Sequence, residues 1–340
     1  MQVIKHVPGK ADHPVAESWL KHERPSYSWY RAFLDRHSDV IRSRVCENLD
    51  PKRWNVDYKS VKSLYDIMEQ ICKQYPNLPA ANVCNLDETN LTPERRKSRV
   101  LAAKGARRTH TLCNDARFSM TCLPIVFADG SLMPPQFIVK GKKRPNWWGS
   151  KQFYYEIART EFAEACLSVQ PNGWMDSEIF LTWFEEKFLP FTAARRSPTT
   201  PVVLILDNFS GHVHPATLKL ARDNDVIMVG LPPHSTHITQ PLDVTLMKPL
   251  KDYWTKMIAA MQVSRPWEKY TEEDVIKLLC KPCQELGLKP GSTTEYWSPF
   301  SKAFTSENIK SAFRTTGLWP VDFDQASEVL NVIDCIVMLY

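Results

Sequence analysis

Two aspartates border apolar segments in positions that could bring their side chains into one cleft. Asp207 follows the run Val202–Leu206, which is short and β-branched enough to be a buried strand. Asp243 follows Pro241 at the expected start of a helix, with Thr239 as the expected N-cap. Two ionised carboxylates held close together repel each other unless a cation lies between them. The pair therefore indicates a site for a hard metal ion.

A third carboxylate, Asp87, ends the part-apolar segment NVCNLD at residues 82–87. Asp207 or Asp243 alone would be interpreted as an ordinary cap, but three carboxylates from separate segments favour a metal centre. Mg²⁺ and Mn²⁺ prefer oxygen ligands, and two such ions about 3.5 to 4 Å apart stabilise the attacking and leaving oxygens of phosphoryl transfer. The residues predict metal-dependent chemistry on a phosphodiester.

The elements around these acids predict an α/β protein. Val202–Leu206, a helix over residues 214–224 and a strand over residues 226–229 form a parallel βαβ unit, in which ligands gather at the carboxyl ends of the strands. Residues 118–127 and 132–139 flank a turn containing Gly130 and predict a hairpin. Helical spacing predicts further helices over residues 28–37, 57–75, 179–188 (ending before Pro190), 271–286 and 307–315.

Composition excludes several classes of protein. The 340 residues, 43% of them hydrophobic, predict a folded chain with one large domain and appendages. Only 11 residues are Gly, and neither a Walker pattern nor GxGxxG occurs, which argues against nucleotide-binding folds. Nine cysteines without framework spacing and no apolar signal core predict an intracellular protein. The apolar tail at residues 329–340 is too short to span a bilayer, so no membrane role is expected.

Basic residues cluster in two segments although the formal net charge is only +5. One cluster runs over residues 95–108 and ends in Arg107 and Arg108, and the other, residues 140–148, mixes cations with two tryptophans. Such clusters are typical of surfaces that bind a nucleic-acid backbone, although a basic run is more often a solvated face.

Other chemistry is less well supported by the sequence. His212, His234 and His237 could form a zinc site, but no HExxH motif and no well-spaced cysteine partner accompany them. Cys280 and Cys283 form a lone CxxC, which is more typical of a thiol pair than of a metal knuckle. A zinc-dependent hydrolase stays as an alternative class.

Several motifs resemble the DDE superfamily endonuclease domain of pogo, Tigger and jerky-type transposases, including relatives of centromere protein B. They are NLDET at 85–89, LILDNFSGH at 204–212, LPPHSTHITQPLD at 231–243 and VTLMKPLK at 244–251. NIKSAFRTTGLWP at 308–320 is similar to the closing segment of that domain. WYRAFLDRH at 29–37 resembles the end of the helix-turn-helix module that precedes it.

The resemblance implies an RNase H-like α/β fold, with a mixed five-stranded sheet flanked by helices and helical N- and C-terminal extensions. The expected domains are an N-terminal helical region with the helix-turn-helix remnant (1–78), the catalytic domain (79–262) and a C-terminal helical extension (263–340). Asp87 would lie on the first strand, Asp207 after the fourth and Asp243 on the helix after the fifth. Together they would hold two Mg²⁺ or Mn²⁺ ions for phosphodiester hydrolysis and transesterification.

The resemblance also implies partners and a location. Double-stranded DNA is the expected substrate, a second copy of the chain is a candidate partner, and the nucleus is the expected compartment. The expected DNA contacts are basic residues of the two clusters and of the helix after Asp243, namely Arg107, Arg108, Lys140, Lys142, Lys143, Arg144, Lys248 and Lys251.

The sequence departs from the family pattern at three places. Asn90 replaces a frequent Gly after the first motif, and Phe209 replaces a His or small residue after Asn208. Too few residues precede Trp29 for a complete pair of DNA-reading domains. The alternative function is therefore a domesticated, catalytically silent protein that binds DNA or chromatin.

Overall fold

The computed structural model describes residues 26–39, 56–92, 119–265, 268, 270–288 and 297–337. The chain divides into two compact units, Met1–Val56 with Ser327–Tyr340, and Asp57–Ala326. In the first unit, helix α1 (Tyr27–Arg36) begins after Ser26, whose hydroxyl accepts a hydrogen bond from the Trp29 N–H. This helix confirms the one expected over residues 28–37. The domain limits expected at residues 78 and 262 stay a prediction.

The second unit is built on a seven-stranded mixed sheet with the order β5-β4-β3-β1-β6-β7, in which β2 also pairs with β3. β1, β6 and β7 are parallel neighbours, β3 is antiparallel to β1 and β4, and β4 is parallel to β5. The carboxyl ends of β1, β4, β5, β6 and β7 therefore share one edge, the carboxyl edge. The strands are β1 Val83–Leu86, β2 Thr89–Leu91, β3 Met120–Phe127, β4 Leu132–Lys140, β5 Cys166–Gln170, β6 Val202–Leu206 and β7 Val226–Gly230.

The α/β class and the mixed sheet are confirmed, but the expected count of five strands is wrong. β1, β3, β4, β6 and β7 correspond to the five, and β2 and β5 are additional. β2 has only three residues, and β5, with the sequence CLSVQ, is mostly half-buried. β2 is too short for its pattern to indicate a strand, and the alternation of β5 covers only the four residues Leu167–Gln170.

Helices cover the sheet and complete the unit. They are α2 Tyr58–Gln74, α3 Lys151–Ile157, α4 Ser177–Trp183, α5 Leu189–Thr192, α6 Pro215–Asp223, α7 Thr236–Thr239, α8 Met247–Ser264, α9 Glu272–Cys280, α10 Pro299–Ala303 and α11 Ser306–Thr316. A further helix, α12 Phe323–Val337, begins at the end of this unit and belongs to the first unit from Ser327 onward. Two π-helical turns, Phe184–Phe188 and Leu242–Leu246, lead into α5 and α8. Every residue of β3 and β6 is buried, and the aromatic side chains Phe180, Trp183, Phe184 and Phe188 pack against them. Burial on both faces explains why these strands are continuous apolar runs.

Two helix ends differ from their predictions because of prolines. Pro190 does not end its helix: it lies in the first turn of α5, which continues with helical backbone from the π-helical turn Phe184–Phe188. The helix expected over residues 271–286 ends at Cys280 instead. Lys281 is extended, with ψ of 140°, because Pro282 disfavours a helical conformation in the residue before it.

Candidate active site

Asp87 and Glu88 lie in a gap between two strands that pair with the same partner. β1 ends at Leu86 and β2 begins at Thr89, and both are antiparallel to β3. Pro124 of β3 lies opposite this gap and has no N–H to donate. The pairing of β3 with β4 also shifts register at this point, between Leu123 and Ile125. The interrupted ladder leaves Asp87 and Glu88 half-buried and clear of the sheet's hydrogen bonds.

Asp207 lies beside Asp87 at the carboxyl edge because β1 and β6 are parallel and in register. Asn85 of β1 pairs with Ile205 of β6, and each residue precedes its aspartate by two positions. Neighbouring strands are about 4.8 Å apart, so the register places the two acids at adjacent strand ends. The strand ending in Asp207 is confirmed residue for residue.

Asp243 comes to the same region on a helical segment. It lies in the π-helical turn Leu242–Leu246, which continues into α8. The expectation that Thr239 caps this helix is wrong: Thr239 is the buried last residue of α7, and its hydroxyl donates to the carbonyl oxygen of Ser235. The short α7 forms because Ser235 and Thr239 bond each other, which sequence spacing did not reveal.

The Asp87 carboxyl group is buried beside other acidic side chains. Burial, followed by the negative charges of Asp243, Glu88 and Asp207, raises the pKa of Asp87 well above its ordinary value. The negative charges of these three neighbours thus act on Asp87 in addition to its burial. The Asp87 carboxylate accepts a hydrogen bond from the Glu88 N–H at 2.9 Å, which only partly offsets these effects.

His212 joins two carboxylates from different strands. Its Nδ1 is 2.9 Å from Oδ1 of Asp207, and its Nε2 is 2.8 Å from Oε1 of Glu88. Burial works to lower the pKa of His212, but the hydrogen bonds and charges of Asp207 and Glu88 outweigh it and raise that pKa to about 9. Burial likewise works to raise the pKa of Asp207, but the bond and charge of His212 bring it below its ordinary value. The imidazole is thus a buried cation between two anions.

Sequence reasoning missed Glu88 and assigned His212 only to the zinc alternative. Glu88 belongs to the motif NLDET and His212 to the motif LILDNFSGH, but the spacing of the two motifs does not show that these side chains are in contact. Both nitrogens of His212 contact carboxylates, and His234 is exposed, so the structure does not gather the three histidines that the zinc alternative needs.

The donor chemistry of the acidic site, defined as Asp87, Asp207 and Asp243, fits a hard divalent ion. Carboxylate oxygens are the preferred ligands of Mg²⁺ and Mn²⁺, and the raised pKa of Asp87 reflects its burial together with neighbouring negative charge that a cation would compensate. In this conformation the described residues contain no group of three His, Cys, Asp or Glu side chains arranged to hold a metal ion. The three aspartates converge on one region without forming a finished coordination sphere.

The expected DNA contacts fall in three places. Arg107 and Arg108 lie outside the described residues. Lys140 ends β4 at the carboxyl edge, and the exposed Lys142, Lys143 and Arg144 follow it. Lys248 is exposed and Lys251 half-buried, both in α8, the helix that continues from Asp243. The described cations thus lie at or beyond the edge that carries the acids.

A hydrogen bond from the Asn208 side chain to the backbone after β7 holds the loop that follows Asp207. The Asn208 Nδ2 donates to the carbonyl oxygen of Leu231 at 2.8 Å, and Asn208 thereby lies over Gly230 at the end of β7. A Cβ on Gly230 would meet the Asn208 Oδ1 at 2.1 Å. A side chain at residue 230 would have to displace the Asn208 amide and its hydrogen bond, which tie the Asp207 loop to the neighbouring strand.

The protein is thus a mixed α/β domain with acids at two adjacent strand ends and on a following helical turn. The chain belongs to the DDE superfamily endonuclease family, whose sequence model matches residues 117–287, half of the chain. Asp207 and Asp243 lie inside the matched segment, and Asp87 lies before it. The resemblance stated from the motifs is thereby confirmed.

Relatives and solved structures are similar to the chain at low identity. It is 25% identical over 231 residues to the human "Pogo transposable element with KRAB domain", and 27% identical over 213 residues to "MFS-type transporter clz9" of Cochliobolus lunatus. The alignments cover 67% and 63% of this chain but only 35% and 20% of those proteins. Among solved structures, the Mos1 mariner paired end complex with Mn is 11% identical, with 93% of this chain and 73% of that chain covered and a TM-score of 0.49. The Mos1 strand transfer complex is 12% identical, with 88% and 73% covered and a TM-score of 0.41.

The similarity to a protein named as a transporter raises the question of membrane-spanning segments. Within the part of the chain that the structure describes, every helix is too short or too polar to cross a bilayer.

Proposed function

We propose that this chain is a transposase-derived DNA endonuclease and strand transferase that acts through Asp87, Asp207 and Asp243. The observation that carries the proposal is the convergence of these carboxylates from the ends of β1 and β6 and from a π-helical turn, where burial and the charges of Asp243, Glu88 and Asp207 raise the pKa of Asp87. Uncompensated negative charge at the end of a sheet favours a bound cation. Membership of the DDE superfamily endonucleases supports the same reading.

Each residue of the proposed site has a separate task. Two Mg²⁺ or Mn²⁺ ions, when bound, would stabilise the attacking and leaving oxygens of phosphodiester hydrolysis and transesterification. Asp87 and Asp207 would hold the ions from adjacent strand ends, and Asp243 would hold them from the helical side. Asp207 would use Oδ2, because Oδ1 accepts hydrogen bonds from the Phe209 N–H and from His212. His212 is fully buried and bonded at both nitrogens, so it orients Asp207 and Glu88.

The proposed substrate is double-stranded DNA, and the proposed compartment is the nucleus. Lys140, Lys142, Lys143 and Arg144 would bind phosphates beside the carboxyl edge, Lys248 and Lys251 would bind them along α8, and Arg107 and Arg108 would add to this surface. A second copy of the chain is the proposed assembly partner. The activity of the whole protein is part of the proposal, because the chain spans about a third or less of the curated relatives it matches.

Nicking of supercoiled DNA in Mg²⁺ or Mn²⁺ tests the proposal. Wild type should nick, and Asp243→Asn should lose activity by at least about a hundredfold, since it removes a charge on which metal-assisted transfer depends. Asp252→Asn is the matched control, because Asp252 is an exposed aspartate on α8. Equal rates for wild type and a folded Asp243→Asn would contradict the proposal.

The second candidate is a catalytically silent protein that binds DNA or chromatin. The observation that favours it is the bond from His212 to Asp207, since a positively charged imidazole competes with a metal ion for that carboxylate. Salt-dependent DNA binding with no aspartate-dependent cleavage in either metal would support this function over the first.

A further inference from the structure

A buried pair of side-chain amides connects the three segments that carry the aspartates. The Asn85 Nδ2 donates to the carbonyl oxygen of Ile205 at 2.9 Å and to Oε1 of Gln240 at 2.9 Å. The Asn85 Oδ1 accepts from the Leu242 N–H at 3.2 Å, and the Gln240 Nε2 donates to the carbonyl oxygen of Leu86 at 3.3 Å. Asn85 and Gln240 are both fully buried. Their bonds join β1, β6 and the start of the π-helical turn.

Each bonded residue lies just before an aspartate in the chain. Asn85 is two residues before Asp87, and Gln240 is three residues before Asp243. Ile205, which accepts from Asn85, is two residues before Asp207. A strand buried on both faces is ordinarily apolar, and asparagine is depleted there. Burying two amides is costly unless they are bonded, so this pair exists only in an arrangement that fixes all three segments.

We propose that Asn85 and Gln240 are positioning residues, whose hydrogen bonds set the place of Asp243 relative to Asp87 and Asp207. The inference rests on the proposed function, because it assigns the pair to the metal-holding acids. Asp87 and Asp207 are already fixed relative to each other by strand pairing. Asp243 has no such ladder, and the amide pair supplies the link. A shift of about 1 Å in a catalytic group is enough to impair a site.

The chain contains a matched control for a purely structural role. Asn82 is also buried, and its Nδ2 donates to the carbonyl oxygens of Arg195, Thr200 and Pro201 at 2.7, 3.0 and 3.1 Å. It lies just before β1, at the opposite end of that strand from Asp87. Replacing Asn82 or Asn85 by leucine removes a comparable set of buried bonds, but only the Asn85 bonds reach the acidic site.

The first test measures Mn²⁺ affinity of the full chain by electron paramagnetic resonance, without DNA. Asn85→Leu and the length-matched Gln240→Met should weaken Mn²⁺ binding by about tenfold or more, as expected when groups that orient metal ligands are removed. Asn82→Leu should lower the melting temperature without changing that affinity. Equal weakening by Asn82→Leu and Gln240→Met at matched stability would overturn the proposal, as would unchanged affinity in Gln240→Met.

Hydrogen exchange of the Leu242 amide decides the inference separately from the function. In Asn85→Leu this amide should exchange at least about tenfold faster than in Asn82→Leu, compared at equal global stability, because its acceptor is gone. An unchanged rate in Asn85→Leu would overturn the inference. If wild type binds no Mn²⁺, the two-metal function is refuted. If the Leu242 amide nevertheless exchanges faster in Asn85→Leu, the structural link through the amide pair is retained.

Discussion

His212 concentrates a positive charge inside a site of negative charges. Its imidazole is fully buried between Asp207 and Glu88, and these partners raise the pKa of His212 to about 9. Although burial works to raise the pKa of Asp207, the hydrogen bond and charge of His212 lower it. The residue that appeared in sequence as a zinc candidate is therefore better described as an internal counter-ion.

The ion pair predicts a specific pH dependence of stability. His212 has a higher pKa in the folded chain, about 9, than its ordinary value of 6.5. Its stabilising contribution is therefore complete below about pH 6.5 and is lost as the pH rises through 9. Each tenfold change in proton affinity is worth about 1.4 kcal/mol, so the free energy of unfolding of wild type relative to His212→Gln should be up to about 3 kcal/mol larger at pH 6 than at pH 10.

Urea unfolding in EDTA at pH 6, 8 and 10 measures this difference. The free energy of unfolding of wild type, relative to His212→Gln, should decrease steadily over that range. A difference that is constant or that grows with pH would contradict the buried ion pair.

At the scale of elements, the Asp207 loop depends on a glycine of the next strand. Gly230→Ala places a Cβ against the Asn208 Oδ1, 2.1 Å away in the present geometry. Forcing an extra group into a packed site costs about 1 to 3 kcal/mol, and here the strain displaces the loop that follows Asp207. We expect Gly230→Ala to have a lower melting temperature than wild type and, in addition, a reduced nicking activity.

A second substitution separates this clash from other effects of alanine. Gly230→Ala combined with Asn208→Ala removes the colliding amide at the loss of one hydrogen bond, worth about 1 kcal/mol. The double variant should be more stable than Gly230→Ala alone. If the double variant is destabilised, relative to wild type, by the sum of the losses in Gly230→Ala and Asn208→Ala, the two residues are not coupled.

The end of α11 depends on another glycine. Gly317 has φ of 65°, and a Cβ there would meet the carbonyl oxygen of Asp322 at 1.9 Å. Gly317→Ala should cost more than about 1 kcal/mol, because backbone strain and a backbone clash act together. Gly287 is the matched control, with φ of 68° and open space around its Cβ position. Thermal denaturation should show a clearly larger loss for Gly317→Ala, and equal losses would contradict the clash.

Local sequence patterns predicted elements far better than contacts. Val202–Leu206 and the start of α6 at Pro215 were predicted because an apolar run and a helix-start proline are local signals. The π-helical turns were not, since no simple period marks them, and β5 was not, since its alternation covers only four residues. The three aspartates were found from their positions at the ends of elements. Contacts between distant residues, such as His212 with Glu88, 124 residues apart, are set by the sheet order, which no local pattern gives.

At the scale of the whole molecule, the sheet topology brings opposite charges to one edge. β4 is parallel to β1 and β6, so the cations after Lys140 follow a strand end on the same side as Asp87 and Asp207. A surface with acids for metal ions and cations beside them suits a polyanion that must reach the metals. The modest net charge of +5 does not reveal this asymmetry.

Neutralising Lys142, Lys143 and Arg144 together, each by glutamine, should therefore weaken DNA binding and flatten its salt dependence. Each lost phosphate contact lowers the slope of log affinity against log salt by about 0.9, so three contacts lower it by up to about 2.7. Mn²⁺ affinity should stay unchanged, because these residues are not metal ligands.

The charge-matched control replaces Lys73, Lys219 and Arg222, exposed cations on α2 and α6, the helices that lead to the amino ends of β1 and β7. Both triple variants lower the net charge equally. A similar loss of slope in the two variants would show that DNA responds to overall charge, and only a loss confined to the first variant supports a binding surface at the carboxyl edge.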